Sequence, residues 1–254
     1  MAERSKFDTV AANYAAGRPD YPADLYDTLA RVLGRPLAGA DVVDLGAGTG
    51  IASRQLARRG ASVTAVELSG PMLAELAATS PGVRPVRGSA TAVPLRANSA
   101  DLVTCAQAWH WMDPALAVPE FVRVLRPGGV FAAWWNQTHR DSEWEHRQEL
   151  RIEAADPGWR QVSGPYGKRD AEFGQDSGLD VQTHRFSWQR TVTLDRHLEN
   201  LVSKSYVALL TDREGFLAAE REILSTQFPD GSLTERFAVH LVTVRVPAEA
   251  KAAG

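Results

Sequence analysis

The sequence predicts an α/β protein built on a doubly wound, mostly parallel sheet with helices on both faces. From Asp41 to Trp135 short β-branched runs alternate with helical segments, at the spacing of successive βαβ units. Glycine or proline punctuates most of the junctions. A chain of 254 residues, 44% hydrophobic and 23% charged, is long enough for one large core with a small appendage.

Taken in order, Phe7, Val10, Ala11 and Tyr14 recur at helical spacing, and a second helix runs from Pro22 to Gly34 with Leu25, Leu29 and Val32 as its apolar face. Asp41–Leu45 reads as a strand that ends in a glycine loop, and Ile51–Arg59 as the helix after it, stopped by Gly60. Strands follow at Ser62–Val66, Val83–Arg87, Asp101–Cys105 and Gly129–Trp135, with helices at Pro71–Ala78 and Pro114–Leu125 between them. Beyond Asn136 the pattern loosens. Arg140–Ala155, His197–Leu210 and Glu214–Gln227 read as helices, Val181–Trp188 and Ala238–Val246 as strands, and Pro157–Gly178 as a long loop.

A net charge of −3 and arginines scattered in pairs give no basic stripe, which argues against nucleic acid as the main partner. The single cysteine, Cys105, excludes a disulfide within the chain. Met1–Lys6 lacks the apolar stretch of a signal peptide, and no segment has the length of a membrane span, so a cytoplasmic protein is expected.

The segment Val42-Val43-Asp44-Leu45-Gly46-Ala47-Gly48-Thr49-Gly50 feeds a strand into a glycine-rich turn that opens a helix. A dinucleotide fingerprint would need its third glycine at position 51, where Ile51 stands. Glu67 closes the second strand, where a carboxylate can accept hydrogen bonds from ribose hydroxyls. Together with Gly88–Leu95, Asp101–Trp111 and Arg123–Phe131, these segments resemble the class I, seven-stranded Rossmann-like methyltransferases that use S-adenosylmethionine. The resemblance covers roughly residues 5 to 136. Phe7-Asp8, Tyr14, Arg18–Pro22 and the His110-Trp111 pair look most like the small-molecule enzymes of the trans-aconitate type.

The resemblance implies S-adenosyl-L-methionine as cofactor, S-adenosyl-L-homocysteine as product, and a cofactor site made by Tyr14, Arg18, Asp44, Gly46, Ala47, Gly48, Gly50, Glu67, Leu68, Ser89, Ala90 and Ala106. Ser89 departs from the family, which usually has an acidic residue there to bind the adenine amino group. It further implies a helical lid over 1–36, a cofactor-binding core over 37–136, the last strands and an acceptor cap over 137–246, and a frayed tail over 247–254, all in one domain.

Tryptophans cluster at the expected carboxyl ends of the strands: Trp109 and Trp111 after the fourth, Trp134 and Trp135 on the fifth. They predict an aromatic acceptor pocket of Trp109, Trp111 and Trp135, joined through the resemblance by Tyr166 and Tyr206, with Trp188 and Ser203 as further candidates. Core packing is the competing reading for each. Trp134 and Trp135 face opposite sides of their strand, so at most one of them lines the pocket. His110 is the candidate base, able to take a proton from a hydroxyl or amine acceptor, with a structural histidine as the alternative. His139, Glu143 and His146 would share a helix face, but flanking charges mark that face as solvated, and no metal is expected. The expected function is methyl transfer to a small-molecule acceptor, with no nucleic-acid or membrane partner. The alternatives are a non-catalytic module that binds the same cofactor and a nicotinamide-dependent oxidoreductase.

Overall fold

The structure, a computed structural model, describes residues 18–139, 142–156 and 179–248. The helix expected around Tyr14, the loop expected over Pro157–Gly178 and the last residues of the tail lie outside the described residues. The described elements are α1 (Ala23–Leu33), β1 (Asp41–Leu45), α2 (Ile51–Arg58), β2 (Ser62–Glu67), α3 (Gly70–Thr79), β3 (Val83–Arg87), β4 (Ala100–Ala106), α4 (Pro114–Val124), β5 (Leu125–Thr138), α5 (Glu143–Ala155), β6 (Asp180–Thr193), α6 (Leu194–Val202), α7 (Ser205–Ala208), α8 (Arg213–Gln227) and β7 (Ser232–Arg245).

They form one seven-stranded sheet in the order β3-β2-β1-β4-β5-β7-β6. Strands β1 to β5 are parallel, and β7 enters antiparallel between β5 and β6. The chain winds outward from β1 to β3 and then returns to β4 beside β1. That reversal opens a crevice at the carboxyl ends of β1 and β4, the place where open α/β sheets bind ligands.

Central strands are covered on both faces, so Val42, Val43, Asp44 and Leu45 are all buried. On one face Leu25, Tyr26 and Leu29 of α1 pack with Val42, Leu102, Ala132, Trp134 and Leu241. On the other, Trp109 and Phe121 pack with Val43, Val103, Phe131, Trp135 and Val242. Helix ends follow the local chemistry: Gly34 (φ 79°) closes α1, the Ser69 hydroxyl caps α3, and the Asp113 carboxylate accepts the Ala115 N–H ahead of α4.

The structure extends three strands beyond the expected bounds. β5 begins at Leu125, because a register shift between Ala100 and Leu102 lets β4 pair with the chain on either side of Gly128 (φ 78°). β6 and β7 pair without interruption from Asp180↔Arg245 to Thr193↔Ser232. The outer strand β6 is half-exposed along its length, and this blurs the apolar alternation that marks a strand. The helix expected over 197–210 is broken at Ser203 into α6 and α7.

Beyond the sheet, Trp144, Ile152, Leu198, Leu201 and Leu224 form a separate core in the cap. Buried Glu235 ties it to the sheet, accepting from Arg190 Nε at 2.6 Å, His197 Nδ1 at 2.7 Å and Asn200 Nδ2 at 2.9 Å. Burial alone would raise this carboxyl; the His197 hydrogen bond and charge, with Arg190 and Asn200, outweigh burial and hold it at about 2. Its folded value lies below its unfolded one, so its contribution is complete above about pH 4.5 and lost as the pH falls toward 2. Glu235→Ala should cost roughly 3–5 kcal/mol by removing the buried carboxylate that Arg190, His197 and Asn200 share. Urea denaturation at pH 7 measures the loss, and the mutant should lack the wild-type decline in stability between pH 4.5 and 2 that Glu235 contributes.

Candidate active site

The crevice is built from the ends of β1, β2 and β4. Gly46 and Ala47 donate to the Val66 carbonyl at 2.9 and 3.3 Å, which locks the glycine loop onto β2. Gly46 (φ 64°) lies so close to β4 that a Cβ there would meet Ala108 Cβ at 2.7 Å. Gly48 (φ 57°) is different, since a Cβ there would find nothing nearer than Met72 Sδ at 3.8 Å. Glycine at 46 is demanded by packing within the chain. At 48 it is demanded by backbone conformation, since a Cβ there would make only ordinary contact.

Two carboxylates flank this loop. Glu67 is nearly buried; its Oε2 accepts the Gly48 N–H at 2.8 Å and its Oε1 accepts Leu68 and Ser69 N–H at 2.8 Å. Asp44 is wholly buried beneath the loop, accepting from Ser53 Oγ at 2.6 Å and Thr104 Oγ1 at 2.8 Å. Burial, reinforced by the Glu67 charge, pushes the Asp44 carboxyl up to about 6 against the opposing hydrogen bonds of Ser53 and Thr104. Among the described residues neither carboxylate forms an ion pair with a cationic side chain. The Thr49 hydroxyl in the same loop is buried, with no hydrogen-bond partner among the described residues. Two carboxylates without a cationic partner among the described residues repel phosphate and suit a cation that can donate hydrogen bonds. S-adenosylmethionine, with a sulfonium, an ammonium and ribose hydroxyls, fits that description.

Several expected cofactor residues sit otherwise than expected. Asp44 reaches the site only through the loop above it, so its place is that of a positioning residue. The Ser89 hydroxyl closes its own turn, lying 2.8 Å from Thr91 Oγ1 and accepting the Thr91 N–H at 3.2 Å. Ala90 and Ala106 are half-buried around the crevice, and Leu68 is exposed at its rim. Arg18 donates to the Ser203 carbonyl at 3.0 Å, joining the chain before α1 to the cap. Tyr14 lies outside the described residues.

The aromatic mouth is also rearranged. Trp109 is fully buried, 5.2 Å from Phe131, and Trp135 is fully buried on the same face of the sheet. Both belong to the core because the single turn Trp109–Trp111 tucks its first side chain under α4. Trp134 is buried on the opposite face, edge-on to Tyr21 at 5.6 Å. Trp111, 47% exposed and 4.7 Å from the His110 ring, is the one of these indoles that reaches the surface. Tyr206 packs on the cap core, Trp188 stacks on Phe237, the Ser203 hydroxyl donates to the Asn200 carbonyl, and Tyr166 lies outside the described residues.

His110 accepts a hydrogen bond at Nδ1 from Trp135 Nε1 at 3.4 Å. A neutral imidazole that accepts at Nδ1 carries its proton on Nε2, so this contact favours that tautomer. Among the described residues no group of three potential metal ligands converges, and His139, Glu143 and His146 form none.

Two residues with no expected role organise the crevice. Gln107 adopts a left-handed backbone (φ 57°), rare for a non-glycine side chain, and donates from Nε2 to the Asn136 carbonyl at 3.0 Å. Asn136 in turn donates to the Asp20 carbonyl at 3.5 Å and accepts from Trp188 Nε1 at 3.1 Å. A polar residue directly after the apolar run ending in Trp135 was the available signal for Asn136. For Gln107 the sequence holds none.

A family model described as a methyltransferase domain matches residues 43–133. An uncharacterized methyltransferase of Mycobacterium tuberculosis is 36% identical over 201 residues, covering 79% of this chain and 76% of the relative. The chain belongs to the methyltransferase family. Its fold and glycine loop place this methyltransferase in class I, whose methyl donor is S-adenosylmethionine. A ubiquinone biosynthesis O-methyltransferase of Ralstonia nicotianae is 37% identical over 114 residues, covering 42% of this chain and 47% of the relative. Among solved structures, a protein of Anaeromyxobacter dehalogenans assigned as a type II methyltransferase superposes with a TM-score of 0.67 at 23% identity, over 91% of this chain and 98% of that one.

Gly46→Ala in this methyltransferase should abolish cofactor binding and lower stability by more than about 1 kcal/mol, since a left-handed alanine against Ala108 combines strain with a clash. Calorimetric titration with S-adenosylhomocysteine, alongside thermal melting of the mutant, checks both.

Proposed function

We propose that this chain moves the methyl group of S-adenosylmethionine to a small-molecule acceptor, and that the glycine loop with Asp44 and Glu67 forms the donor site. The carrying observation is the pair of carboxylates that flank the glycine loop without a cationic partner among the described residues. In this reading the free capacity of Glu67 Oε2 receives ribose hydroxyls, and the backbone of Gly46, Ala47 and Gly48 lies against the amino-acid portion. Gly50 turns the chain into α2. Leu68, Ser89 and Ala90 border the adenine, Ala106 borders the reacting end, and Asp44 supplies negative potential from below. Tyr14 and Arg18 are proposed to close over this site from the lid.

The bound cofactor supplies an electrophilic methyl on a sulfonium. The chain then needs to hold the acceptor in line with it, a proximity effect rather than strong base catalysis. His110, with its proton on Nε2, donates to an acceptor oxygen, and Trp111 supplies the exposed aromatic surface beside it. The absence of a basic stripe and the likeness to an O-methyltransferase of quinone biosynthesis support a small-molecule acceptor. No helix among the described residues is long and apolar enough to cross a membrane.

Calorimetry with S-adenosylmethionine, S-adenosylhomocysteine and NAD+ tests the donor site. The first two should bind and the third should not; selective binding of NAD+ would overturn the reading. Glu67→Gln should weaken S-adenosylmethionine binding roughly 10- to 100-fold, the loss expected for hydrogen bonds to a charged acceptor. Affinity for the sulfonium should also fall as the pH drops through about 6, where Asp44 takes up its proton, and Asp44→Asn should flatten that dependence.

A further inference from the structure

The opposite end of the sheet carries the reverse charge arrangement. Asp180 opens β6 and pairs with Arg245, which closes β7 beside Val130 of β5. These residues therefore lie at the amino-terminal ends of the parallel strands, away from the glycine loop. There a cavity of about 250 Å³ opens beside the last turn of α1, lined by Arg31, Asp180, Gln182, His184, Thr243 and Arg245.

Both guanidiniums are held by neutral groups. Arg245 donates to the carbonyls of Gly128, at 2.8 Å, and Val32, while Arg31 donates to the Thr28 hydroxyl at 3.2 Å. Asp180 shares the cavity without an ion pair to either, and among the described residues its carboxylate accepts from Gln182 Nε2 at 3.4 Å. Each guanidinium has five N–H donors, so several remain on each after these bonds. Behind them the buried Thr243 hydroxyl lies 3.5 Å from His184 Nε2. Burial, and then the charge of Arg31, hold the His184 ring below its usual value.

We propose that this notch is a second ligand site, separate from the donor site, which binds one oxyanion group of a small ligand between Arg31 and Arg245 with His184 as a third donor. Planar guanidiniums suit carboxylate and phosphate oxygens through paired N–H donors. A volume below the roughly 300–1,000 Å³ of pockets for drug-sized ligands fits an anionic head group rather than a whole nucleotide. Asp180 at the same wall sets a like charge beside the anion, and so favours a ligand carrying a single anionic group.

The test is NMR titration of the His184 ring in the full-length protein with inorganic phosphate and, separately, acetate, at fixed ionic strength. Binding should give a saturable shift and move the His184 titration to higher pH. Saturation by phosphate alone assigns the site to phosphate groups, and saturation by acetate assigns it to carboxylates. Arg31→Gln, at an exposed position far from the glycine loop, should weaken the binding roughly tenfold, the scale of a lost charged hydrogen bond. A linear shift that chloride reproduces, or equal binding by Arg31→Gln, would overturn the proposal. S-adenosylhomocysteine affinity should be unchanged by saturating phosphate; competition between the two would refute a separate site.

Discussion

Beneath the glycine loop, the Asp44 carboxylate is removed from water with two hydroxyls to hold it and no cation beside it. Raising its carboxyl from 3.8 to about 6 corresponds to about 3 kcal/mol against the ionised form in the folded chain. Most buried carboxylates escape that cost through a partner, as Glu235 does with Arg190 and His197 in the cap. At Asp44 the cost persists, and the field it creates points at the loop. The two carboxylates thus divide two tasks: one stitches the cap to the sheet, the other prepares a site for positive charge.

The rest of the crevice depends on keeping that loop in place. Val66 holds it from β2, Ala108 presses on Gly46 from β4, and Glu67 reaches back to the Gly48 amide. The paired indoles of β5 fill the cores on the two faces of the sheet, Trp134 with α1 and Trp135 with α4. Asn136 then ties the strained turn at Gln107 to the chain before α1 and to β6. Rigid packing below and polar ties at the rim are the division of labour expected of a preorganised site.

Much of this was legible in the sequence because it rests on local rules. β1, α2, β3 and the glycine loop were placed within a residue, since each combines a strong period with punctuation at its ends. The final strands were underestimated: β6 is an edge whose exposed side chains carry no clear alternation, and its partner β7 gains length only by pairing with it. The aromatic pocket was misjudged for a related reason. Spacing along a strand tells which indoles share a face but not whether a helix covers that face, and α4 covers Trp109 and Trp135. The contact that His110 makes with one of those buried indoles was hidden by the same gap. Gln107 illustrates a limit of another kind, because its left-handed backbone is imposed by tertiary contacts and not by its own preference.

The most direct test of the account is carboxyl NMR of Asp44, titrated from pH 3 to 8 without ligand and with saturating S-adenosylmethionine. A buried carboxylate awaiting a cation should titrate near 6 in the free protein and clearly lower once the sulfonium and ammonium are bound above it. Titration near 3.8 in the free protein, or a midpoint that ignores the ligand, would contradict the claim that the uncompensated charge of Asp44 prepares the donor site.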